Sequence, residues 1–477
     1  MKHRALGLAV AGYLLLAGCT SGAPDSPTVS TSPTVATSQP VTPSRPAGST
    51  SGTATGSPTK PTLPAGTDWP AYHGDPQRTG YSASMPAASG KLTATRIALT
   101  GQVYASPIVV GETIVVATER NVIYGLTRAG QQRWKVMVGA ATSRSALPCG
   151  NIDPLGITGT PVYDAGSKSV FVVASIGSRV RHDLIALDPE TGAIRWRRAI
   201  DLPGTDPQAM QQRGALTVLN GRVWVPFGGL AGDCGSYKGR LVGVPVGNGE
   251  PIEYTVPTTR EAGIWTPPGP TVLADNLLVA VGNGESVGGS YDYSDSVLRL
   301  AGNRLVDSFS PTTWAADNAH DLDLGSQGPA VVAGKWVFIA GKSGTGYLLR
   351  ADRLGGIGGQ LQQLQLCKSF GGTAVVGDTV YVPCTDGVRA VQISDAGTMS
   401  IRWHADVALA GSPVVGGGRV YVLDTSGGTL AALDQATGKV NERVTVGAAS
   451  RFATPAISGS ALYVPTLTGL TVVATTR

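Results

Sequence analysis

From residue 67 onward the hydrophobic positions fall into runs of three to five residues, separated by turns rich in glycine. Val, Ile, Thr and Tyr dominate these runs, so they read as short buried strands; few stretches sustain a helical period. Ser106-Pro107-Ile108-Val109-Val110-Gly111 opens one unit, and the apolar run 113–117 follows its glycine. The same order returns at Thr160-Pro161-Val162, Gly214-Ala215-Leu216, Gly269-Pro270-Thr271, Gly328-Pro329-Ala330, Gly372-Thr373-Ala374, Ser412-Pro413-Val414 and Thr454-Pro455-Ala456. Second runs follow at 170–174, 222–226, 277–281, 336–340, 379–383, 419–423 and 461–465. Eight units spaced about 40–60 residues apart, each with room for four strands, make a repeat.

A small sheet of this kind has open edges and two apolar faces, and only neighbours arranged around an axis bury both. The expected fold is therefore all-β: a single eight-bladed β-propeller of four-stranded antiparallel blades over residues 67–477. The last unit stops at Arg477 with no room for a fourth strand. The segment around 92–99 is expected to supply it and so to tie the first blade to the last.

The first 66 residues are a different material. Met1-Lys2-His3-Arg4 is cationic, and residues 5–17 form an apolar run too short to span a bilayer comfortably. Leu16-Ala17-Gly18-Cys19 resembles the bacterial lipobox, which implies a signal peptide over 1–18 and a diacylglycerol thioether on Cys19. Residues 19–66 are mostly Ser, Thr, Pro, Gly and Ala, with no aromatic residue, and cannot bury enough apolar surface to fold. They read as a tether reaching roughly 40 Å as a coil and at most about 150 Å as polyproline II. The expected location is outside the cytoplasm, lipid-anchored to the outer face of the cytoplasmic membrane.

Composition narrows the function classes. The formal charge of +5 includes Lys2 and Arg4, and no basic run exists elsewhere, so nucleic acid is not an expected partner. A monomer is expected. After Cys19 the cysteines are Cys149, Cys234, Cys367 and Cys384, suited to an oxidising compartment; four allow three pairings. With no Cys-x-x-Cys and no His at ligand spacing, they do not suggest a metal site.

The turn Asp188-Pro189-Glu190-Thr191-Gly192 leads through Arg195 to Trp196. Its Gly-to-Trp spacing recurs from Gly130 to Trp134, its turn recurs at Asp434–Lys439, and Arg402-Trp403 is a looser copy. With Asp68-Trp69-Pro70 and Arg78-Thr79-Gly80-Tyr81 ahead of the repeats, the chain resembles the pyrroloquinoline-quinone (PQQ) repeat family of β-propellers. That resemblance implies outer-strand tryptophans docked between blades. It also implies one of two functions. Quinoprotein dehydrogenases of this superfamily oxidise alcohols or sugars with PQQ and calcium, whereas the outer-membrane assembly lipoprotein (BamB) relatives are binding scaffolds.

In such blades the loop before the first strand and the loop between the second and third strands open on one face. The former carry Arg144, Arg213, Trp265, His320, Asp321 and Arg451; the latter carry Asn283, Glu285, Asp292, Asp295 and Lys342. Arg144, Arg213, Trp265, Asn283, Asp321, Lys342 and Arg451 are the expected ligand site at the channel mouth. The blade positions imply the pairs Cys149–Cys234 and Cys367–Cys384. Val281-Gly282-Asn283-Gly284-Glu285 resembles the element that supplies a calcium-ligating Asn in the dehydrogenases, and His320-Asp321-Leu322-Asp323 resembles the stretch with their catalytic Asp. A dehydrogenase would thus use Asn283 and Asp321 on calcium and Asp321 as base. The chain lacks their adjacent cysteine pair and a matching glutamate ligand. A lipid-anchored scaffold for an envelope protein, polysaccharide or small ligand is the expected function; a calcium- and PQQ-dependent dehydrogenase is the alternative. His73, His182 and His404 read as surface or blade-edge residues.

Overall fold

The computed structural model describes residues 69–87 and 90–475. The export signal, Cys19 and the Ser/Thr/Pro-rich stretch lie outside the described residues. Eight sheets follow one another along the chain. The first blade comprises Ile108–Val110, Thr113–Ala117, Val122–Leu126 and Gln132–Met137, each antiparallel to the next. Its two middle strands are buried at every position, whereas the outer strand alternates between exposed and half-buried residues. This is why the middle strands read as continuous apolar runs and the outer strands as mixed sequence.

The last blade closes the ring. Ala456–Ser458, Ala461–Thr466 and Gly469–Thr475 are completed by Leu92–Ala98, which pairs antiparallel from Leu92 opposite Thr475 to Ala98 opposite Gly469. The sheet from the end of the chain therefore takes its outer strand from the beginning, as the repeat arithmetic requires.

Blades are joined by the residues that mark the repeat. The Ser106 N–H donates to Thr160 Oγ1 at 2.9 Å, and the Gly372 N–H donates to Ser412 Oγ at 2.9 Å. Thr160 and Ser412, each just before its proline, thus link one blade to the next. Trp134 docks on the following blade: its Nε1 donates to the Pro189 carbonyl at 3.1 Å, and its ring lies on Gly192. Trp403 does the same with Gln435 and Gly438. Trp196 packs on Phe171 of its own blade and against the apolar cluster shared by the second and third blades. Both disulfides are formed with the expected pairing, Cys149–Cys234 and Cys367–Cys384.

The segment ahead of the repeats has an architectural role that its sequence does not announce. Trp69 exchanges hydrogen bonds with Val109 in the first blade. The carbonyls of Pro70, Pro76, Thr79 and Gly80 then accept N–H groups from Tyr163, Val272, Val375 and Val415, in the second, fourth, sixth and seventh blades. These partners all sit in the innermost strands, close to the turns on the face opposite the mouth. Within a dozen residues the chain touches opposite sides of the ring, so it crosses the far end of the channel. Arg78 fixes the crossing: its guanidinium donates to the carbonyls of Tyr72, Leu216 and Pro270 and to Thr217 Oγ1.

Two histidines correct the sequence reading. His73 lies inside the crossing segment and is fully buried, as is His182, whose Nδ1 lies 2.7 Å from Asp201 Oδ1. Only His404 is partly exposed. A short helix, Trp314–Ala319, and a two-residue strand, Gly356–Ile357, add to the fourth blade and its exit.

Candidate functional site

The loops before the innermost strands converge over the channel on the open face and enclose a cavity of about 750 Å³. Of the expected mouth residues, Arg213, Trp265, Asn283, Asp321, Lys342 and Arg451 line it. Arg144 does not: its guanidinium donates to the carbonyls of Gly150 and Leu147 and shapes its own loop. That loop still forms part of the wall through Asn151 and Ile152, and Cys149–Cys234 ties it to the adjoining wall segment 229–233.

One side of the cavity is a closed ionic cluster. Lys342 Nζ lies 2.5 Å from Asp321 Oδ1 and 2.6 Å from Asp323 Oδ2. Asn283 donates its side-chain amide to Asp321 Oδ1 at 2.8 Å and its backbone N–H to Asp323 Oδ1 at 2.6 Å. Burial works against the charge on Lys342, but the two carboxylates outweigh it and hold its pKa above the ordinary lysine value. Burial raises the Asp323 carboxyl, with the Lys342 ammonium and the Asn283 N–H pulling it back. Asp295, expected on this face, is buried behind the cluster, and desolvation lifts it well above the carboxylate range.

The other side is cationic and aromatic. Trp265 meets Phe452 edge to face at 5.9 Å, and Phe452 meets Phe370 at 6.5 Å, so rings from the loops before the fourth, eighth and sixth blades span the channel. Arg451 stacks its guanidinium on Phe370 at 3.6 Å, and Arg213 lies over Phe452 at 5.5 Å. Arg213 is only 8 % exposed; Nη1 donates to the Thr158 carbonyl, while Nη2 has no hydrogen-bond partner. No ion pair is formed by Arg213, Arg451 or Lys368 among the described residues.

Tyr104, Phe370 and Phe452 escaped the sequence reading, yet they share a signal with Arg213. Each stands four residues ahead of its innermost strand, which begin at Ile108, Ala374, Ala456 and Thr217. Aligning the repeats on that strand would have found them.

The geometry does not suit calcium. The Lys342 ammonium already engages both Asp321 and Asp323, and Asp321 Oδ1 is shared by Lys342 and Asn283, so the expected ligand Asp321 is not free for a divalent cation. Among the described residues the only cluster of three candidate ligands is Cys367, Cys384 and Asp386, and both cysteines are consumed by the disulfide. The candidate base of a dehydrogenase, Asp321, is therefore held as half of an ion pair.

Fold and site together define an eight-bladed propeller with a ligand-sized mouth of paired acids, aromatic rings and unpaired cations. The chain belongs to the family described as outer membrane protein assembly factor BamB, whose model matches residues 77–356 and 302–476. No curated protein matches it. Among solved structures, BamB from Moraxella catarrhalis shares 18% identity over 81% of this chain and 98% of its own, with a TM-score of 0.55. Quinohemoprotein alcohol dehydrogenase from Comamonas testosteroni shares 17% over 85% of this chain and 80% of its own, at 0.64. A europium-containing methanol dehydrogenase shares 14% over 86% and 98%, at 0.67. At these identities the likeness is one of fold. The family and the disulfides fit a location at the cell envelope, outside the cytoplasm.

Proposed function

We propose that this protein is a binding scaffold of the cell envelope, held to the membrane by a lipid on Cys19, with its mouth as the receiving surface. The observation that carries this reading is the Asp321–Lys342–Asp323 cluster. It neutralises the acids that a dehydrogenase would need free, while Arg213 and Arg451 remain unpaired against aromatic faces. Such a surface favours recognition over proton abstraction. The family supports a protein partner, and the blind channel supports engagement from one side only.

A photo-crosslinking residue in place of exposed Lys368, at the cavity rim, tests the reading in intact cells. A discrete crosslinked envelope partner is expected, lost when Cys19→Ser releases the protein from the membrane fraction. Dye-linked oxidation of alcohols or sugars on adding PQQ and calcium, abolished by Asp321→Asn, would overturn it.

A further inference from the structure

The mouth contains a cation that no carboxylate pairs among the described residues. Arg213 is more than nine-tenths enclosed, at 8 % exposure, and its Nη1 is fixed to the Thr158 carbonyl at 2.9 Å. Its Nη2 has no partner and no carboxylate lies within ion-pairing distance. A buried guanidinium left in that state is costly unless something outside the fold completes it. Burial lowers its pKa only to about 10, so it is charged at neutral pH. Ser450 Oγ, which also lines the cavity, is a second buried group with no hydrogen-bond partner. The Arg213 guanidinium lies over Phe452, and Phe370 beside it carries the stacked Arg451. Of the acids in the lining, Asp321 and Asp323 are held by Lys342, and Asp233 accepts the Tyr237 hydroxyl at 2.5 Å.

We infer that the mouth is an end-on receptor for a carboxylate carried on an apolar or aromatic group, read by the Arg213 guanidinium with the body of the ligand against Phe452 and Phe370. The crossing segment closes the far end of the channel, so a ligand enters by its tip and cannot thread through. A polypeptide C-terminus and a free aromatic acid share this chemistry. The inference rests on the mouth being the receiving surface, and it adds which group on the ligand is read.

The test is calorimetric titration of the purified propeller with acetyl-Gly-Ala-Phe as free acid and as C-terminal amide, and with 3-phenylpropionate. A charge-assisted hydrogen bond of about 1.5–3 kcal/mol predicts roughly 10- to 100-fold tighter binding of the acid than of the amide. Arg213→Met is expected to abolish that preference with the melting temperature recorded alongside. Should Arg213→Met fail to fold, Arg451→Gln at the rim carries the test, with a preference reduced by at least about threefold. A peptide acid that outbinds 3-phenylpropionate assigns the site to chain ends, and the reverse assigns it to free acids; both sustain the inference. Equal affinity for acid and amide, no binding of any of the three probes, or an undiminished preference in whichever variant folds would overturn it. Carboxylate binding with no crosslinked partner in cells would defeat the scaffold reading alone, and a partner captured without carboxylate preference would defeat this inference alone.

Discussion

His73 makes acid sensitivity a property of the segment that plugs the channel. Its imidazole is fully buried, stacked on Tyr72 at 4.3 Å, with Nδ1 donating to the Arg78 carbonyl at 3.3 Å. Burial, and after it the nearby Arg78 charge, lowers its pKa from the ordinary 6.5 to about 3. The unfolded chain therefore takes up a proton at a pH where the folded chain does not. Above the unfolded value the two states carry the same protons and His73 contributes no pH dependence. As pH falls through 6.5 toward 3, stability is lost. With these values the loss is about 2 kcal/mol at pH 5 and about 3 kcal/mol at pH 4.

The wild-type curve alone would not isolate this effect. Asp75, Asp295 and Asp323 have carboxyls raised chiefly by burial, so they gain protons in the folded state first and stabilise it as pH falls. The informative quantity is the difference from His73→Asn, a residue that tolerates the left-handed backbone at this position, where φ is 56°. Denaturant unfolding followed by tryptophan fluorescence would give both stabilities. Lost packing offsets the variant by a constant amount, and the gap between the two proteins should narrow by about 2 kcal/mol between pH 7.5 and pH 5. A gap that stays constant across that range would refute the assignment of His73 as a buried neutral base.

The docking of tryptophans predicts an unequal response to glycine substitution. Gly192→Ala places a Cβ 2.5 Å from the Trp134 ring at φ +73°, whereas Gly221→Ala at φ +70° meets nothing within 4 Å. Gly221→Ala should cost about 1 kcal/mol from backbone strain, and Gly192→Ala a further ~1–3 kcal/mol from overpacking; equal losses in thermal melts would argue against docking. Lys342→Met leaves Asp323, only 8 % exposed, without its counter-charge. It should destabilise by roughly 3–5 kcal/mol at neutral pH, with the deficit shrinking on acidification because the raised Asp323 carboxyl then takes up a proton. A deficit of the same size in urea melts at low and neutral pH would exclude this. Replacing Cys367 and Cys384 by Ser opens a link between residues 17 apart in sequence and should cost about 3 kcal/mol, read as a shift in the denaturant midpoint.

Legibility followed the range of each interaction. The eight innermost strands and their partners were readable because each repeat restates them in apolar triplets and glycine turns, and the Ser/Thr-Pro pairs mark contacts between neighbours. The missing outer strand at Leu92–Ala98 followed from counting, since a ring cannot leave one blade short. At the site, Asp321, Asn283 and Lys342 stood out as polar residues in glycine-rich loops, and they do converge. Arg144 stood out in the same way and serves only its own loop, because residue type alone does not say which way a loop turns.

What stayed hidden has a common cause. Phe370 and Phe452 look like ordinary core residues until the repeats are aligned on strand starts, and Tyr104 and Arg213 then fall in the same column. The crossing segment left even less trace. It is held mainly by backbone carbonyls that accept N–H groups from five blades, and such bonds make no demand on side-chain identity. Trp69, Tyr72, His73 and Arg78 are buried along it, yet an isolated His in a polar stretch reads as a surface group, and the lead-in residues around Trp69 and Arg78 carry no sign of a crossing. The same segment closes the channel beneath Arg213. A segment legible as a lead-in but not as a crossing thus makes the mouth a blind cavity, which is what the proposed recognition of a ligand by its end requires.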